Sequence, residues 1–147
     1  MWTQGDRRAK LRFLDLEGSG KLQTAELQYA LATYYAAMDK KKTLELLENA
    51  LVLTKEGQLN TAVIESLASV NQALGRIKHA YIWVLVAKEL DLSTISERNL
   101  AVLYPFSEQE TERMQTIASR ITDAIKDGQY RRSLLPDYNP LPDQNEP

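Results

Sequence analysis

The 147-residue chain is 44% hydrophobic and 26% charged, a globular balance that excludes a disordered body and suits one sizeable core. Its net charge of −2 gives no whole-chain attraction to nucleic acid or anionic lipid. Without cysteine, disulfides and thiolate metal sites are excluded, and the single histidine, His79, is too few for a histidine-ligated zinc centre.

The opening stretch "MWTQGDRRAK" lacks the apolar core of a signal peptide, and the longest apolar run, "AYIWVLVA", falls far short of the ~20 residues that span a bilayer. An intracellular, cytoplasmic protein with no membrane insertion is expected. After a turn-like stretch, "DLEGSGKLQTAEL", apolar residues recur at helical spacing. Leu27, Leu31, Tyr34 and Met38 share one face of the next segment, and Leu44, Leu47 and Leu51 share one face of the segment after it. Val63, Leu67, Val70 and Leu74 continue the pattern up to Gly75, a residue suited to the left-handed position past a helix end.

The block "IKHAYIWVLVAKEL" is apolar on almost every side, which marks a central, buried helix. Thr94 with Glu97 and Ser107 with Glu110 have the spacing of capping boxes, each opening a helix. Pro105 limits the first of these to about two turns. The second is the longest, with Met114, Ile117, Ile121 and Ile125 on one face and Gly128 beyond its end. Seven helices are expected in an all-α fold. From Gln129 the chain holds four of its five prolines, so 129–147 reads as a flexible tail.

The chain also matches itself. "GKLQTAEL" from Gly20 parallels "GQLNTAVI" from Gly57, an offset of 57 − 20 = 37 residues, each copy between two helices. A weaker copy lies at "STISERNL", where Ile95 follows Leu59 by 95 − 59 = 36.

The first copy supplies oxygen-bearing side chains at Asp15, Glu17, Ser19 and Gln23, a glycine at Gly20, and Glu26 twelve places into the loop. Leu22 falls at the eighth place, with Leu59 as its counterpart in the second copy. On these residues 15–26 resembles an EF-hand loop, and 9–74 resembles an EF-hand pair. The resemblance implies one weak calcium site, with Asp15, Glu17, Ser19, Gln23 and Glu26 as side-chain ligands and Lys21 through its carbonyl. It implies a short strand pairing of Leu22 with Leu59. The second loop, 52–63, has valine at its first and last places, so it implies no second site. The expected organisation is then an EF-hand-like pair over 1–76, further helical hairpins over 77–128 in the same globular unit, and the tail.

The function expected from this reading is a calcium-responsive or constitutive interaction subunit, similar to a light chain or adaptor, that docks a protein partner on Leu27, Leu31, Tyr34 and Tyr35. A rival reading takes the ~36-residue helix-pair rhythm as an α-solenoid that binds RNA or a peptide without calcium. The stretch around "ALGRIKHAYIWVLVAKELDL" is similar in rhythm to a pentatricopeptide repeat. Nucleic acid is the less favoured partner, because the basic runs Lys40–Lys42 and Lys126, Arg131, Arg132 would have to converge on one face. No nucleophile motif, phosphate-binding glycine loop or histidine-carboxylate cluster is present, so no enzymatic activity is expected.

Overall fold

The structure, a computed structural model, describes residues 24–93 and 95–136. It is all-helical over those residues, with six α-helices, one 3-10 turn and no strand. The helices are α1 (Ala25–Tyr35), α2 (Lys40–Leu53), α3 (Thr61–Ala73), α4 (Ile77–Glu89), α5 (Glu97–Leu103) and α6 (Glu108–Lys126), followed by the 3-10 turn Arg132–Leu134. None of them is long and apolar enough to cross a membrane.

Five of the six starts have a local cause, while α4 begins after Arg76 with no side-chain cap. The side chains of Thr24, Asp39, Asn60, Ser96 and Ser107 each accept a hydrogen bond from an orphan amide in the first turn that follows. Ser96, not Thr94, caps α5. Ile95 packs against the core and its amide donates to Ser93 Oγ, while Ser96 is itself extended and its hydroxyl accepts from the Asn99 amide at 3.1 Å. At Ser107 half of the expected box forms. The hydroxyl accepts from the Glu110 amide at 3.1 Å, but the Glu110 carboxylate accepts from that same hydroxyl at 3.5 Å and pairs with Lys78 of α4 at 3.1 Å. The hydrogen bond and charge of Lys78 hold the Glu110 pKa below the usual carboxylate value.

Three helices end alike. Past α3 the amides of Gly75 and Arg76 donate back to Gln72 and Asn71, and past α6 those of Gly128 and Gln129 donate to Ile125 and Ala124, the two bonds of a Schellman motif. Past α4 the same pair of bonds closes around Asp91, a non-glycine residue held at φ 61°.

Packing follows chain order: α1 on α2, α2 on α3, α3 on α4, and α4 on α6. Short connections make α1/α2 and α3/α4 antiparallel hairpins. The two hairpins keep register with one another, since α1 and α3 begin at 25 and 61, 36 residues apart, and α5 begins a further 36 residues on, at 97. The 36- to 37-residue rhythm read from the sequence is therefore a rhythm of helix pairs. Helix α4 lies at the centre, with Ala80, Ile82, Trp83 and Val86 fully buried and Tyr81, Leu85 and Ala87 nearly so.

The segment following α6 is not free of the body. Tyr130 is buried with its ring 5.9 Å from that of Trp83, and the 3-10 turn packs back on α6. The expected tail is thus fastened as far as Pro136, and 137–147 lies outside the described residues.

Candidate functional site: the groove between the first two hairpins

The first helices of two successive hairpins, α1 and α3, stand on either side of a groove of about 340 Å3 whose floor is α2. Its walls are made of small side chains. Ala32 and Thr33 of α1 and Ala36 just past its end face it on one side, and Ser66, Ser69 and Ala73 of α3 on the other, so the two backbones leave a channel instead of interlocking. Thr43 and Leu47 of α2 close it from below. Tyr29 supplies an aromatic wall, and Lys40 and Glu65 place opposite charges along the lining. Lys40 is held there by donating from Nζ to the Ala36 carbonyl at 2.8 Å, which also satisfies the C-terminal end of α1.

Behind α2, on the side served by Glu48 and Asn49, sits a polar clasp. Arg132 donates to the Glu45 carbonyl at 3.2 Å and to Asn49, and its guanidinium lies 4.0 Å from Glu48. Asn49 in turn donates to Gln28 of α1 at 3.1 Å. Farther on, His79 Nε2 lies 2.8 Å from the Pro136 carbonyl oxygen, which can only accept, so the ring proton sits on Nε2. The segment from Tyr130 to Pro136 therefore spans from α2 to α4.

Within this clasp Glu48 is buried, and desolvation raises its pKa against the opposing pull of Arg132 and Arg76. The Tyr130 hydroxyl is buried with no partner in hydrogen-bonding geometry among the described residues. Burial, reinforced by the Glu48 charge, pushes its pKa above the usual phenol value. Because folded Glu48 holds its proton more tightly than the unfolded chain does, its contribution to stability is fully present below the ordinary value of 4.5 and is lost as pH rises through the raised value. Glu48→Gln should therefore match or exceed the wild type in urea midpoint at neutral pH and flatten the profile between neutrality and the acid range. A variant that loses more at pH ~7 than at pH ~5 would instead show that pairing with Arg132 outweighs desolvation.

The residues expected to bind a metal are not brought together among the described residues. Asp15, Glu17, Ser19, Lys21 and Gln23 lie outside them, as does Leu22, and Glu26 is an exposed residue in the first turn of α1. No group of three or more histidine, cysteine, aspartate or glutamate residues that could hold an ion occurs within the described part. Of the residues expected to meet a partner, Leu31 is 0% exposed and belongs to the core. Leu27, Tyr34 and Tyr35 are half-buried against that core, with the two tyrosine rings edge to face at 4.9 Å. The second loop is also shorter than an EF-hand loop requires: Val52 and Leu53 complete α2 and Thr61 opens α3, so only 54–60 is non-helical, and Leu59 packs on the core rather than in a strand.

A family model described as "Protein of unknown function (DUF2989)" matches residues 1–85, more than half of the chain. The chain belongs to this family. That match overturns the EF-hand resemblance, which rested on one loop and its partial copy. The DUF2989 span includes every residue that lines the groove, and ends within α4. No curated protein and no solved structure matches the chain. The groove itself left a signal in the sequence that was not read as one: small residues at helical spacing, Ala32 and Ala36 in one repeat, Ser66, Ser69 and Ala73 in the next.

Proposed function

We propose that this chain is a short α-solenoid built on the two helical hairpins α1/α2 and α3/α4, an adaptor that holds a peptide segment of a protein partner in the groove between α1 and α3. The observation that carries this reading is the groove itself, formed where equivalent helices of successive repeats stand side by side. Arrays of this kind bind extended ligands along such surfaces, because stacking in one direction leaves a continuous face open. At about 340 Å3 the groove suits a few side chains of an extended segment. The hydroxyls of Ser66 and Ser69 are placed to serve a peptide backbone, and Tyr29 to pack against an apolar side chain.

A peptide is favoured over RNA by charge. The lining holds one lysine and one glutamate, and the chain is net negative, whereas an RNA track needs convergent basic residues. The test is a selection of peptides from a displayed random library against the full chain, followed by anisotropy titrations with Ser69→Trp and, as a control remote from the groove, Gln115→Trp. Selected peptides should lose tenfold or more in affinity on Ser69→Trp, roughly 1.4 kcal/mol, and be indifferent to Gln115→Trp. Failure to select any peptide, or binding that ignores an indole placed in the groove of a variant with a wild-type circular dichroism spectrum, would remove the proposal.

A further inference from the structure

A second cleft, of about 520 Å3, lies between α4, α5 and α6 and shares no lining residue with the groove. Lys78 pairs with Glu110 near the starts of α4 and α6, and Glu89 at the end of α4 accepts from Ser119 at 2.9 Å, so the two helices run the same way along it. Its two ends therefore differ. At one end the ring of Tyr81 stands 5.0 Å from that of Tyr104 and 5.5 Å from that of Phe106, and Tyr104 is fixed by donating to Gln72 Oε1 at 3.1 Å. At the other end, roughly 10 Å farther along the axis of α4 at 1.5 Å per residue, are Lys88 and Glu89. Lys88 is half-buried and makes no hydrogen bond or ion pair with any described residue. Glu89 bonds to Ser119 through Oε2 and keeps Oε1 available as an acceptor. Buried Leu85 and Leu100 form the floor between the two ends.

We infer that this cleft binds a free α-amino acid with an aromatic side chain, its carboxylate on Lys88, its ammonium on Glu89 and its ring against Tyr81, Tyr104 and Phe106. The charges select the head of the ligand. An anion drawn to Lys88 meets Glu89 beside it, and a cation drawn to Glu89 meets Lys88, so each gains an attraction offset by a repulsion. A zwitterion satisfies both residues and matches a site with no net charge. The distance between the ends selects the side chain. With its head at Lys88 and Glu89, the ligand must extend over Leu85 and Leu100 to reach the aromatic end, where a ring gains edge-to-face or offset contacts that an aliphatic chain does not. The volume falls within the range of about 300–1,000 Å3 typical of small-molecule sites.

Calorimetric titration of the full chain with L-phenylalanine, L-tyrosine and L-tryptophan tests the proposal. At least one should bind with one-to-one stoichiometry and a Kd on the order of 0.1–1 mM, as suits a ligand of this size in an open cleft. Three probes dissect the contacts: 3-phenylpropanoate lacks the ammonium, phenethylamine lacks the carboxylate and glycine lacks the ring. Each should bind tenfold or more weakly than phenylalanine. Lys88→Met and Glu89→Gln keep the length of each side chain, and neither residue is buried, so both variants should retain the wild-type circular dichroism spectrum. Each should weaken phenylalanine tenfold or more. Glu89→Gln should also close the gap between phenylalanine and 3-phenylpropanoate, and Lys88→Met the gap between phenylalanine and phenethylamine, shifts that a merely structural role would not produce. No saturable binding of any of the three amino acids up to about 10 mM would overturn the proposal. So would 3-phenylpropanoate binding the wild type as tightly as phenylalanine, or an affinity for phenylalanine unchanged in either variant.

Discussion

Replacing Trp83 with alanine should bring the protein close to unfolding. Trp83 is 0% exposed on a helix buried on nearly every side, flanked by Ile82 and Val86, which are equally inaccessible. Its ring is also the surface against which Tyr130 fastens the segment after α6. Truncating a buried tryptophan to alanine costs about 3–5 kcal/mol, against a total stability of roughly 5–15 kcal/mol for a domain. With a urea dependence on the order of 2 kcal/mol per molar, the midpoint should fall by about 2 M. Trp83→Phe should lose far less, because the indole N–H is buried without a hydrogen-bond partner among the described residues, and removing it orphans nothing. Urea titrations of both variants, followed by far-ultraviolet circular dichroism, check this. A loss below about 1 kcal/mol for Trp83→Ala would mean that α4 is not the centre of the core.

The second large effect is expected at Gly128, and Gly75 provides its control. Both hold the left-handed position past a helix end, at φ +68° and +76°. A side chain at Gly75 would meet nothing within 4 Å, so Gly75→Ala should cost only the backbone term, about 1–2 kcal/mol. At Gly128 a new Cβ would strike the backbone nitrogen of Glu56 and come within 3.0 Å of the Lys55 carbonyl carbon, both in the loop between α2 and α3. Neither neighbour is the yielding end of a side chain, so an overpacking cost of about 1–3 kcal/mol adds to the first. Gly128→Ala should therefore exceed Gly75→Ala in midpoint shift by that margin. Equal losses would show that the 54–60 loop moves aside.

Much of the helical plan was legible because its causes are local. Gly75 and Gly128 announced two helix ends, Ser107 one start, and the all-round apolar block from Ala80 to Ala87 the central helix. Asp91 closes α4 with the same geometry as the glycines, yet no glycine marks it. Spacing alone put the α5 cap at Thr94, whereas Ser96 holds it, and the packing of Ile95 against the core beside it is a tertiary fact. The tail illustrates the same limit. Its prolines and charges are those of a loose end, while Tyr130 and Arg132 find partners on α4 and α2 that are far away in sequence.

The candidate site was less legible still. Oxygen-bearing residues in 15–26 satisfied a short template, and the repeat at Gly57 lent it support, but the repeat belongs to the hairpin rhythm. Alanines and serines facing one another across two helices have no chemistry to announce. They become a groove only once α2 holds α1 and α3 apart.

The clasp has a consequence for how the molecule comes apart and is made. A plain stack of helix pairs behaves as a one-dimensional chain of nearest neighbours, free to fray from either end. Here Arg132 grips Glu45 and Asn49 across more than 80 residues of sequence, so the last turn of the fold is joined to its first hairpin. Fraying from the α1/α2 end must break that tie, which makes melting more nearly all-or-none than an untied stack would allow. It also sets a schedule for synthesis. The ribosome delivers α1 and α2 long before Arg132, so the first hairpin must wait for the end of the described chain before its polar side is closed.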